Sequence, residues 1–180
     1  VQTCALPIFI PLHLYGSRTC STWNVRQFHS RIILRLQYLA LASLIVLYSL
    51  MFIGGYVSAS GLGLSCPDWP LCPNGVMPDD EFLIEWTHRF IAATTGSLII
   101  ATTVGVWLNK NSDGKIKITS TLASVFVITQ ITLGAIVIEA KLHAVLVAIH
   151  LGIGILLFAM TLLTVLFAFR MARQAVITKM

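Results

Sequence analysis

His88 and His150 are the residues of this chain best suited to chemistry. Each lies near one end of a long apolar segment, with glycine close by: Gly96 after His88, Gly152 and Gly154 after His150. An ionisable side chain in a membrane helix is costly, so it is a functional-site hypothesis by default. Two neutral imidazoles on facing helices can hold a heme iron between them, because bundle cores build cofactor sites from converging side chains. Small neighbours leave room for a flat ring. The same histidines also fit a plainer role, each bonded to a neighbouring helix. Glu85, His88 and Arg89 fall in the run EWTHR. Glu85 and His88 are three apart and share a helix face. The carboxylate can therefore fix the tautomer of a ligand histidine or accept a proton. Arg89 can pair with a heme propionate through charge-assisted bonds, or extend to the lipid headgroups. His143 stands seven residues before His150 on the same face, next to Lys141. It reads as interfacial, close to the propionates of such a heme.

Cys66 and Cys72 enclose Pro67–Leu71 in a loop between apolar segments. Outside the cytoplasm, neighbouring cysteines usually pair, which makes a structural disulfide the first reading. A redox-active dithiol is the second, although the spacing is not the C-x-x-C that depresses a thiol pKa.

These residues need elements to hold them, and the composition says which. The chain has 180 residues, 57% hydrophobic and 11% charged, with mean hydropathy +0.86. Soluble domains are about 25% charged, and so short a chain has too little interior for that much apolar surface. Four stretches contain no Asp, Glu, Lys or Arg: Leu36–Pro67, Phe90–Asn109, Ile118–Ile138 and Leu142–Phe169. About 20 apolar residues in a helix cross the hydrocarbon core. The expected fold is all-α, an integral membrane four-helix bundle with helices near 36–57, 86–108, 117–138 and 143–169. The first outer loop, roughly Ser58–Leu83, is long; its Pro67, Trp69, Pro70, Pro73 and two cysteines suggest an ordered cap. Trp69, Trp86 and Tyr56 fit an aromatic belt. Thr94, Thr95, Thr102, Thr103, Thr129 and Thr132 read as packing contacts between helices.

All Lys and Arg residues except Arg89 and Lys141 precede helix 1, join helices 2 and 3, or follow helix 4. By the positive-inside rule both termini are cytoplasmic and the histidines lie towards the outer face. The net charge of +5 thus serves topology, with no nucleic-acid partner required. The first residues, VQTCALPI, resemble a translated sequencing adapter. Residues 1–30 are therefore expected to be disordered or artefactual, and Cys4, His13, Cys20 and His29 receive no functional weight. The bundle is placed at 31–170, with a basic cytoplasmic tail at 171–180. Helices 1 and 3 share small residues near the outer end (Gly54-Gly55, Gly134-Ala135), as helices 2 and 4 share a histidine, which suggests two hairpins of one plan.

YVSASGLGLSCPDWPLC (Tyr56–Cys72), IEWTHR (Ile84–Arg89), QITLGA (Gln130–Ala135) and AIHLGIGILLF (Ala148–Phe158) resemble, in order and spacing, the heme A synthase family. The resemblance covers about residues 45–168. It implies oxidation of the C8 methyl of heme O to a formyl group, giving heme A for cytochrome oxidase. The chemistry it implies is successive hydroxylation followed by loss of water. Matching positions imply His88 and His150 as the heme-iron ligands, Glu85 as the essential carboxylate and Cys66 with Cys72 as the loop cysteine pair. Many members have eight helices in two similar halves, one holding a heme b cofactor and the other the heme O substrate. This chain resembles the half with the cysteines and the carboxylate, and half-length archaeal members are thought to act as oligomers. The expectations are therefore a complete half-length protein and a homo-oligomer in the cell membrane, with heme b as cofactor, heme O as substrate, and heme O synthase as a candidate partner.

Three other functions fit parts of the pattern. A bis-histidine electron carrier or oxidase assembly factor would bind heme without turnover. A membrane thiol oxidoreductase would use the cysteines but normally needs two communicating pairs. A di-iron carboxylate bundle wants two Glu-x-x-His motifs and further glutamates, whereas Glu85/His88 and Glu139/His143 supply only one such motif.

Overall fold

A computed structural model describes residues 18–66, 72 and 79–177, with side chains from Arg35 onward. The adapter-like start, His13, Trp69 and the prolines of the outer loop lie outside the described residues. The described elements are helical: α1 (Arg18–Ser60), a 3-10 turn (Asp80–Phe82), α2 (Leu83–Leu108), α3 (Gly114–Glu139) and α4 (Ala144–Ile177). All four α-helices contain stretches long and apolar enough to cross a membrane. At 1.5 Å per residue the 26 residues of α2 or α3 span about 39 Å, more than the roughly 30 Å hydrocarbon core.

α1 reaches back to Arg18 and α4 on to Ile177, further than the uncharged stretches. An uncharged run marks where lipid begins and ends. The backbone hydrogen bonds of a helix can continue past that boundary into water. At its other end α1 stops at Ser60, where Gly61 adopts a positive φ of 73°, a conformation open to glycine without a Cβ penalty. Asn109 closes α2: its carbonyl accepts from Ser112 N–H at 3.0 Å and its Oδ1 from Asn111 N–H at 3.2 Å, a turn that asparagine favours. The α3–α4 turn is tighter. Lys141 and Leu142 both have positive φ, and Leu142 N–H bonds Val137 O at 2.9 Å. Its side chain rests on Gly63, where a Cβ would come within 3.3 Å of it. That contact supports a backbone conformation costly for non-glycine residues.

Each helix packs beside two others, in the order α1–α2–α3–α4 and back to α1, so α2 and α4 are diagonal. The interior is layered. One apolar cluster gathers Leu36, Ala40, Val106, Ile116, Val165 and Ala168 near the α2–α3 loop, and a second gathers Leu47, Ile99, Ala123, Val127 and Leu157. Between the helices run hydroxyl bonds: Ser43 Oγ with Thr102 Oγ1 at 3.1 Å, and Thr103 Oγ1 with Ser124 Oγ and Ser120 O, both at 2.8 Å. Small and hydroxylic residues let helices approach closely where lipid provides no hydrophobic drive between them. Large apolar side chains such as Phe52 (74% exposed), Tyr48 and Trp107 point outward instead, as a lipid-facing surface requires. Thr94, Thr129 and Thr132 bond carbonyls of their own helix; Thr102 and Thr103 make contacts between helices.

Candidate functional site

α2 and α4 both start at the end of the bundle where α1 and α3 finish. His88 is five residues past the start of α2, and His150 six residues past the start of α4. At 1.5 Å per residue they lie roughly 8 and 9 Å into their helices. The helices are diagonal, so the two histidines belong to opposite corners of the bundle, each within two turns of the start of its helix.

Each ring rests against a glycine on an adjacent helix. A Cβ at Gly54 of α1 would lie 2.9 Å from Cε1 of His88, and one at Gly134 of α3 would lie 3.7 Å from Cε1 of His150. At the first distance a methyl group would force the His88 ring or the helix to shift; the second is ordinary contact. Nδ1 of both rings is buried without a hydrogen-bond partner among the described residues. Buried polar atoms are normally paired, so the two orphans belong to groups whose partner is something other than these side chains. A neutral imidazole is a donor of the right type for heme iron, and each of these rings lies against a glycine rather than a side chain. Two such rings from diagonal helices fit a heme iron. Among the described residues no three His, Cys, Asp or Glu side chains gather as ligands for a bare metal ion, so the di-iron arrangement has no ligand set there.

Glu85 is 3% exposed and its oxygens serve the outer loop. Oε2 accepts from Ser65 Oγ at 3.0 Å and from Cys66 N–H at 2.9 Å, while Oε1 pairs with Arg89 Nη2 at 2.5 Å. The same guanidinium nitrogen donates to Cys66 O at 2.7 Å. The i, i+4 spacing sets Glu85 and Arg89 side by side, and together they grip both backbone polar groups of Cys66. None of these described bonds of Glu85 reaches His88. The carboxylate and the guanidinium pin the loop to α2, a role the spacing within EWTHR does not reveal.

Cys66 and Cys72 are joined as a disulfide, with Cα atoms 4.9 Å apart. Cys66 is fully buried and Cys72 nearly so. Reactive thiols are characteristically accessible, so this pair holds the loop rather than presenting itself for exchange. His143 lies just before α4, exposed, its carbonyl accepting from Val147 N–H at 3.1 Å. It stands exposed at the end of the bundle where α4 begins, whereas His88 and His150 are half-buried.

Ser65 and Gln130 carry parts of this end of the bundle that the sequence reading left without a role. Gln130 Nε2 donates to the backbone carbonyl of His150 at 2.8 Å. The available signal was an amide inside the uncharged stretch of α3.

The family model described as "Cytochrome oxidase assembly protein" (COX15-CtaA) matches residues 76–179, taking in both histidines and the Glu85–Arg89 pair. The chain belongs to this family. It is 32% identical over 137 residues to a heme A synthase of Bacillus licheniformis, covering 74% of this chain and 45% of that protein. A heme A synthase of an Exiguobacterium species is 30% identical over 69% of this chain and 42% of its own length. A protoheme IX farnesyltransferase of Haloarcula marismortui is 31% identical over 65% of this chain, which corresponds to 25% of that larger protein. The chain thus spans less than half the length of these curated family relatives.

Proposed function

We propose that the chain is a heme-binding half of heme A synthase type, acting in oxidation of the C8 methyl of heme O to a formyl group. The observation that carries this is the pair His88 and His150, near the starts of the diagonal helices α2 and α4, each ring lying against a glycine of an adjacent helix. Similarity to heme A synthases supports the substrate. A bound heme supplies a redox-active iron and, as substrate, the methyl group to be oxidised. The residues that would hold it are His88 and His150, each through Nε2. Gly54 and Gly134 accommodate the two rings, and Arg89 offers positive charge at the same end for carboxylate groups.

Glu85 is a buried carboxylate one helical turn from His88, and we assign it the proton-accepting role. Its oxygens meet Ser65, Cys66 and Arg89. The same engagement favours the alternative of a bis-histidine electron carrier or assembly factor, in which the pin is purely structural.

The active face is assigned to the outer side and both termini to the cytoplasm, from the distribution of Lys and Arg. One histidine pair in the described helices serves one heme. A second heme, cofactor b or substrate O, then calls for a second bundle; a further copy of this chain would supply one, and we propose a homo-oligomer on that ground. The Haloarcula protein is named for farnesylation of protoheme IX, the reaction class that makes heme O. Similarity to part of such a protein supports heme O synthase as a partner.

The test is pigment extraction and turnover with the chain purified in nanodiscs. Heme bound by the chain, with heme O converted to heme A, is expected. His88→Ala and His150→Ala should each lose bound heme and activity. Unaltered heme content in both variants would overturn the site, and a stable hemochrome without turnover would select the carrier.

A further inference from the structure

The two histidines sit in unequal surroundings, and the inequality centres on α3. Gln130 and Gly134 are one turn apart there, so they share a face. The ring of His150 lies against Gly134, while Gln130 reaches across to the backbone of the same histidine, Nε2 donating to His150 O at 2.8 Å. A carbonyl within a helix already serves its own helix, so this donor acts as a tether between α3 and α4. Its amide fits because Gly154, one turn beyond His150, has no side chain: a Cβ there would stand 2.7 Å from Gln130 Nε2. The two helices interlock, with His150 opposite one glycine and Gln130 opposite another.

The α1–α2 pair repeats only half of this plan. His88 faces Gly54, but the residues corresponding to Gln130 and Gly154, four before Gly54 and four after His88, are Leu50 and Ala92. Neither carries a polar side chain.

Gln130 also leaves an acceptor unused. Its Oε1 is buried without a partner among the described residues, as is Nδ1 of His150. An imidazole that binds iron through Nε2 carries its proton on Nδ1, and ligand histidines almost always donate that proton to an outer acceptor that orients the ring and raises its basicity. Gln130 already holds the backbone of His150 and has a free acceptor on the same amide.

We propose that Gln130 is the positioning residue of His150. It fixes the α4 backbone through Nε2 and accepts the Nδ1 proton of the iron-bound ring on Oε1, with Gly154 as the notch that admits the amide. Among the described residues the two heme ligands are then electronically distinct, His150 being the one with an amide acceptor. The proposal rests on His150 as a heme ligand.

The test uses the full chain in nanodiscs loaded with heme, and it reads heme affinity and midpoint potential. Gln130→Met, apolar and similar in length, should weaken heme binding about 10- to 100-fold and raise the potential, because a less basic imidazole favours ferrous iron. Gln130→Glu should lower the potential, because a carboxylate is the stronger acceptor. Gly154→Ala should resemble Gln130→Met, and combining the two should add little. Unchanged affinity and potential in a folded Gln130→Met would overturn the proposal. If that variant does not fold, Gln130→Glu decides: a lowered potential supports the role and an unchanged one overturns it. Failure of the underlying ligand reading looks different. His150→Ala would then keep heme with the wild-type spectrum, whatever the Gln130 variants do.

Discussion

Glu85→Ala should loosen the outer loop before it does anything else. The substitution removes the partner of Arg89 and the acceptor for Ser65 Oγ and Cys66 N–H. The side chains of Glu85 and Arg89 are 3% and 13% exposed, so the pair is close to fully buried. Breaking a buried pair by removing one member costs about 3–5 kcal/mol. Arg89 keeps its bond to Cys66 O, which favours the low end, about 3 kcal/mol. At roughly 1.4 kcal/mol per factor of ten, the open form of the loop rises by about 100-fold. The buried Cys66–Cys72 bond reports that opening directly, since a reductant reaches it only when the loop lifts. We therefore expect the rate of disulfide reduction by a water-soluble phosphine to rise about 100-fold in Glu85→Ala. In Glu85→Gln, which keeps a neutral acceptor but loses the charge-assisted part of its bonds, it should rise about tenfold. A rate within about twofold of wild type in the alanine variant would refute the pin. A carboxylate that served catalysis alone would leave reduction untouched and change only turnover, so the two roles separate in one experiment.

The glycines at the two rings should respond unequally to a methyl group. Gly54→Ala places a Cβ 2.9 Å from the His88 ring; overpacking of this kind costs about 1–3 kcal/mol, so heme affinity should fall about 10- to 100-fold by titration. Gly134→Ala meets His150 at an ordinary 3.7 Å and should bind within about twofold of wild type; equal losses in both would contradict the packing. For topology, cysteines introduced as Lys141→Cys and Lys110→Cys, without Cys4 and Cys20, should label differently in intact cells. An impermeant maleimide should reach the first at once and the second only after permeabilisation, and the reverse pattern would invert the orientation.

How much of this was legible without coordinates differs from residue to residue. The four spans follow from uncharged length alone, because lipid excludes charge and a helix satisfies its own backbone. His88 and His150 stood out because imidazole is rare and costly in such spans. The 43 residues of α1 exceed the uncharged stretch because polarity marks the membrane boundary, while helical hydrogen bonding can persist beyond it. Glu85 and Arg89 were legible as residues on neighbouring turns, but not their engagement with Cys66. The loop returns to α2 across about twenty residues of chain, and local spacing says nothing about which backbone groups arrive there. Gln130 was hidden for the same reason: its partner is the carbonyl of His150, and a backbone atom leaves no signature in side-chain pattern. The sequence by itself determined the solvent of this protein, its helices and the residue types at its site. Only the tertiary structure decided that α2 and α4 are diagonal, that Glu85 holds a loop, and that His150 has an amide neighbour on α3. Those outcomes depend on which helices pack side by side, and in lipid that choice rests on close contacts of small residues and on single hydrogen bonds.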